Sequence, residues 1–162
     1  MMEMERIRDL RELGQPRPEE RYAAGVLKAS DEDRFLLCVV YSPNRMPLRG
    51  ADKRTDVASP RALEKAAWRF ALNGFRTGVD HQPGGEDAAR VVENWVHRGP
   101  PWTVTSPTGV RETVKAGDWL VGLILSPQAW QDYKAGRFGG VSMQGTATRR
   151  RPRKETLARL EK

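Results

Sequence analysis

The chain has a single cysteine, Cys38, so no intramolecular disulfide can brace it. Cys38 lies inside the apolar run Phe35-Leu36-Leu37-Cys38-Val39-Val40 and is expected in the core, not as a reactive thiol. Histidine is also scarce, with only His81 and His97. No metal-ligand cluster is read. Gly84-Gly85 and Gly139-Gly140 lack the spacing of a phosphate cradle, so neither a metal nor a cofactor is expected. No apolar run approaches the roughly 20 residues of a membrane span. Met1 to Leu13 has no signal-peptide h-region, and a cytoplasmic protein without a membrane partner is the expectation. Internal repeats are lacking too.

What is present fits one domain with room for tails. The chain has 162 residues, a hydrophobic fraction of 38% and five Trp, enough to fill a modest core. A charged fraction of 30% and 11 Pro indicate that the core does not use the whole chain. The net charge of +7 raises the question of nucleic acid, and its location answers it. Residues 149–162 hold seven Lys/Arg against two Glu, whereas residues 1–22 hold five Arg against six acids. Basicity is therefore a property of the C-terminal tail, and a basic binding face on the domain is not expected.

Along the chain, Met4, Ile7, Leu10 and Leu13 recur three apart among charges and predict a weakly amphipathic helix, ended by Gly14-Gln15-Pro16. Residues 1–21 thus read as an N-terminal helical arm, 22–148 as the folded domain and 149–162 as a basic tail. Arg34–Tyr41 is a buried-strand candidate. After an irregular polar stretch over 47–58, Ser59 and Pro60 open a helix with the apolar stripe Leu63, Ala66, Ala67, Phe70 and Ala71, closed by Asn73-Gly74. Strands are predicted at 76–81, 90–97 and 118–125, a short helix at 128–134 and a Gly-rich strand at 138–148. Pro100 to Gly109 reads as a loop with a turn at Ser106-Pro107-Thr108-Gly109. The fold class is α+β or a barrel-like β architecture.

A serine hydroxyl is a poor nucleophile until a base takes its proton, and the side chain with a pKa near neutrality is His. His81 ends a predicted strand beside Pro83-Gly84-Gly85, where a side chain can face a cleft. Ser142 lies in Gly139-Gly140-Val141-Ser142-Met143-Gln144-Gly145, where small neighbours let a substrate backbone approach closely. The spacing differs from the Gly-x-Ser-x-Gly elbow of α/β-hydrolases. Composition and pattern leave both residues open between catalytic and structural roles.

The order Val79-Asp80-His81-Gln82-Pro83, Val91-Val92-Glu93-Asn94-Trp95, Gly117-Asp118-Trp119-Leu120-Val121-Gly122, Trp130 to Gly136 and Phe138 to Gly145 resembles phage serine proteases of the XkdF type. That family is similar to the prohead (capsid maturation) proteases of tailed phages and, more distantly, to herpesvirus assemblins. The resemblance covers about residues 30–148 and includes the helix with Ala58-Ser59-Pro60 and Ala66-Ala67-Trp68-Arg69-Phe70. It implies a small, mostly antiparallel β-barrel flanked by helices. It maps the family's histidine onto His81 and its serine onto Ser142, and it implies a serine endopeptidase acting on scaffold and capsid precursor proteins, with self-cleavage and a homodimer. The implied location is the host cytoplasm and the interior of the prohead.

The third catalytic member is left open by this resemblance. Assemblins place a second His after the serine, and this chain has none there. Glu93 is the preferred orienting group, because Val91-Val92-Glu93 matches the family pattern. Asp80 would point to the opposite face of an extended chain, a water-assisted dyad is an alternative, and a Glu93–His97 pair is a rival arrangement. Arg149-Arg150-Arg151 reads as either an oxyanion-stabilising turn or a solvated tail. Two non-enzymatic functions stand beside the peptidase: a virion assembly protein on the same fold, and a nucleic-acid-binding module acting through the tail.

Overall fold

The computed structural model describes residues 2–7, 25–43, 48–49, 55–78, 85, 87–141 and 147–150. Its elements run β1 (Met2–Ile7), β2 (Val26–Ser30), β3 (Phe35–Tyr41), β4 (Leu48–Arg49), β5 (Thr55–Ala58), α1 (Pro60–Leu72), β6 (Ala89–Val96), β7 (Trp102–Thr105), β8 (Arg111–Val114), β9 (Trp119–Leu125), α2 (Pro127–Lys134) and β10 (Ala147–Arg150). The architecture is α+β and mostly antiparallel. One sheet has the order β2-β3-β9-β6, a second β10-β1-β5-β4, and β7-β8 is a separate hairpin. Among the described residues these sheets do not close into a barrel.

The central strands are the most apolar stretches of the sequence, and their pairing explains why. β9 lies between β3 and β6, antiparallel to both, so both of its edges and both of its faces are covered. Leu36, Cys38, Val40, Trp119, Val121, Leu123 and Leu125 face one way, into a core with Leu63 and Ala67 of α1 and Ala129 and Trp130 of α2. Val39 and Leu120 face the other way, packing with Leu27 and with Val114 of the hairpin. Fully burying a side chain such as Leu63 or Leu120 contributes roughly 1.5–3 kcal/mol.

Both helices start as their residues dictate. Ser59 Oγ accepts from the Ala62 amide at 3.3 Å and Ser126 Oγ from the Ala129 amide at 3.2 Å, each with proline at the first helical position. At the far end of α1, Gly74 takes φ +77° and the Phe75 amide donates to Phe70 O at 3.0 Å, which turns the chain away from the helix axis. Phe75 then meets Phe70 edge-on at 5.4 Å.

Several expectations need correction. Residues 2–7, within the helix expected of the N-terminal arm, form β1, paired parallel with β10 and antiparallel with β5. The alternation Met2-Glu3-Met4-Glu5 suits a strand as well as a helix, and distant partners decide between them. The polar stretch 47–58 contains β4 and β5. Trp102–Thr105, expected in a loop, and Arg111–Val114, for which no element was expected, are the arms of a hairpin around the Ser106–Gly109 turn. Residues 76–78 form no strand. Of the strand expected at 138–148, residues 142–146 lie outside the described residues; the rest shows a bridge between Gly140 and Gly25 and the start of β10, which takes Arg149 and Arg150 of the expected tail into a sheet.

Candidate active site

Glu93 lies on β6 at a break in register. Val91 pairs with Leu123 and Glu93 with Gly122, so Val92 is an extra residue in the ladder and is 52% exposed. Such a bulge re-aims the side chains around it. The Glu93 side chain folds over β9. A Cβ placed on Gly122 would stand 2.6 Å from Glu93 Oε2, 2.9 Å from Glu93 Cβ and 2.9 Å from Phe35 Cε2. Glycine is thus what lets Glu93 and Phe35 meet above the middle strand. Glu93 is exposed, and no hydrogen bond or ion pair joins it to another described residue.

The neighbouring Asn94 points to the other face and joins three elements. Its Nδ2 donates to Ala67 O of α1 at 3.3 Å, and its Oδ1 accepts from the Trp119 indole at 2.7 Å. Beyond it, Trp95 packs with the hairpin-side cluster. Glu93 shares the hairpin-side face with Trp95, whereas Phe138 and Val141 pack against the helix-side core.

His81, Asp80 and Ser142 lie outside the described residues, as does Arg151. Their flanks are described. Thr77 Oγ1 donates to Ala89 O at 2.8 Å, the Ala88 amide donates to Gly85 O at 3.1 Å, and the Ser126 amide donates to Ala88 O at 2.9 Å. The chain on both sides of the 79–84 segment is therefore held at β6. On the other side, Phe138 stacks on Tyr133 of α2 at 5.9 Å and Gly140 bridges Gly25 at the start of β2. The flanks of His81 and of Ser142 thus attach to the two outer strands of the β2-β3-β9-β6 sheet.

His97 is engaged elsewhere. Its Nε2 lies 2.8 Å from Pro100 O, and its ring meets Trp102 edge-on at 6.4 Å. No hydrogen bond or ion pair links it to Glu93 among the described residues, so the rival pair does not form. Gly117 N donates to His97 O at 2.8 Å and His97 N to Asp118 O at 2.8 Å, which locks this strand end to β9. Cys38 is fully buried, and burial pushes its thiol up to about 12. Among the described residues no group of three or more His, Cys, Asp or Glu could hold a metal ion, and no helix is long and apolar enough to cross a membrane.

Pattern reading missed Gly122. Its signal was one glycine inside the apolar run Trp119 to Leu125, which marks close approach of another group. Asn94 was likewise a lone amide in a half-buried strand.

Residues 23–151 match the family model described as "Putative phage serine protease XkdF", and the chain belongs to that family. Two curated relatives come from Bacillus subtilis (strain 168). The protein YqbD is 28% identical over 138 residues, covering 83% of this chain and 36% of its own length. The phage-like element PBSX protein XkdF is 28% identical over 117 residues, covering 72% of this chain and 38% of its own. The chain thus spans little more than a third of either relative. No solved structure matches.

Proposed function

We propose that the chain is a phage serine endopeptidase of the prohead type, cleaving scaffold and capsid precursor protein, with Ser142 as nucleophile and His81 as general base. The observation that carries this reading is the family match over 23–151, which includes both residues. Catalysis runs through an acyl-enzyme. His81 takes the Ser142 proton as Oγ bonds to the scissile carbonyl carbon, and that proton then goes to the departing amine as the C–N bond breaks. Water, activated by the same imidazole, releases the acyl group. Backbone amides beside Ser142 stabilise the oxyanion.

Glu93 is the acid proposed to orient His81. It is exposed, unpaired among the described residues, and borne on the strand to which Thr77, on the chain entering the 79–84 segment, is hydrogen-bonded. The enzyme works as a homodimer in the host cytoplasm and inside the prohead, and trims its own chain.

The test is labelling with a fluorophosphonate. The wild-type chain is expected to be labelled at Ser142, with labelling lost in Ser142→Ala and in His81→Ala while both variants keep the wild-type melting temperature. A precursor co-expressed with Ser142→Ala should stay uncleaved. Continued processing by that variant would refute the assignment. Absence of labelling in a folded wild-type chain would favour the non-catalytic assembly protein.

A further inference from the structure

We infer that the solvent face of α1 is a docking surface for an acidic amphipathic helix of a partner protein. α1 buries Ala62, Leu63 and Ala67. The opposite stripe is Arg61, Lys65, Trp68 and Leu72, at i, i+4, i+7 and i+11. Its apolar members stand in water: Trp68 is 46% and Leu72 85% exposed. A solvated helix face normally carries polar residues; here Trp68 and Leu72, the last residue of the helix, form an exposed apolar pair one turn apart that asks for a partner. The 4-3-4 spacing lines the four residues up along about 16 Å of the helix, with the cations Arg61 and Lys65 toward its start and the apolar pair toward its end.

Charge selects the partner's sign. Arg61, Lys65 and Arg69 are all exposed along this face. The acid among them, Glu64, is already neutralised: its Oε2 accepts from Arg61 at 2.6 Å and its Oε1 from Arg98 at 2.7 Å. These two guanidinium groups, Arg98 first, hold the Glu64 carboxyl below its ordinary range. What is left on offer is apolar surface bordered by cations, complementary to a helix with apolar knobs and flanking Asp or Glu.

Nucleic acid is the other anionic partner, and the geometry disfavours it. The Arg61 guanidinium lies 5.4 Å from the Trp68 ring centroid, over the face on which a base would stack. Leu72 offers nothing to a phosphate backbone. The inference uses only described residues of α1 together with Arg98, and it does not depend on the peptidase chemistry.

The test uses the full chain and a synthetic 18-residue helix with Leu at 4-3-4 spacing and Glu on its flanks. Controls are a scrambled peptide of the same composition and a single-stranded oligonucleotide of equal charge. The patterned peptide is expected to bind about tenfold more tightly than the scrambled one, and Trp68→Ala and Leu72→Ala each to weaken it about tenfold. Leu72→Met should restore binding, and raising the salt to about 0.5 M should weaken it. Equal binding of patterned and scrambled peptides would overturn the inference. So would tighter, Trp68-dependent binding of the oligonucleotide, or a wild-type dimer that Leu72→Glu dissociates, since the face would then belong to a second copy of the chain.

Discussion

The Trp119 indole donates to Asn94 Oδ1 at 2.7 Å, and the same amide gives its Nδ2 proton to Ala67 O at 3.3 Å. One side chain therefore fastens β9, β6 and α1 together at a point where water has little access. Trp119 is 4% exposed, and Phe70 of α1 meets it edge-on at 5.7 Å. Asn94→Leu should strand the indole N–H without an acceptor, at a cost of about 1–3 kcal/mol. Asn94→Asp keeps the indole's acceptor but sets an anionic oxygen against the Ala67 carbonyl where water has little access, so it should cost at least as much. Urea denaturation of the three proteins checks the order; an Asn94→Leu chain as stable as wild type would contradict it.

The parts of this fold that were legible carry their signals locally. Ser59-Pro60 announces α1 by capping chemistry alone, and Phe35 to Tyr41 and Trp119 to Leu125 announce buried strands by their apolar character; the same Ser-Pro cap at Ser126-Pro127 was read only as the end of a strand, with the helix after it. β1 could not be read this way, because its partners are Thr55–Ala58 and Ala147–Arg150, far off in sequence. The β7–β8 hairpin was partly visible. The Ser106-Pro107-Thr108-Gly109 turn was recognised, with Gly109 at φ +83°, but the alternating Trp102-Thr103-Val104-Thr105 before it was read as loop. For the candidate site, Glu93 was correctly placed on a strand, whereas its fold over Gly122 depends on a bulge that no local pattern announces.

Gly122 gives a sharp packing test. Gly122→Ala would set a Cβ 2.9 Å from both Glu93 Cβ and Phe35 Cε2. Glu93 Cβ is fixed to its backbone and cannot swing aside, so the strands must shift, at about 1–3 kcal/mol. Glu93→Gly removes that Cβ and should recover part of the loss in the double variant, measured by a thermodynamic cycle. Additive losses in the cycle would mean that the two side chains do not meet.

Burial of Cys38 predicts both a reactivity and a pH dependence. With the thiol pushed up to about 12, the thiolate is nearly absent from the folded state at pH 8. Reaction with a disulfide reagent should therefore follow unfolding, accelerating with urea in step with the loss of structure. An unfolded chain ionises this thiol near its ordinary 9.0, so the unfolded state gains as pH rises past that value. Stability contributed by the buried neutral thiol is fully present below pH 9.0 and declines toward about 12. Cys38→Ala should abolish this alkaline decline. Rapid modification of the native protein would refute the buried assignment.

Glu93 separates a catalytic role from a packing one because it is exposed and unpaired within the described structure. Glu93→Ala leaves stability within about 0.5 kcal/mol if the carboxylate only rests over Gly122, as exposed substitutions generally do. If Glu93 orients His81, the same variant loses acylation rate while keeping its melting temperature. The loss should reach about 10⁴-fold if the tautomer is misplaced, as in serine hydrolases whose orienting acid is replaced. Glu93→Gln, which holds the shape without the charge, should be nearly as impaired in fluorophosphonate labelling. Unchanged labelling in both variants would leave Ser142 and His81 working as a dyad with water, and would assign Glu93 to the packing of β6 against Phe35.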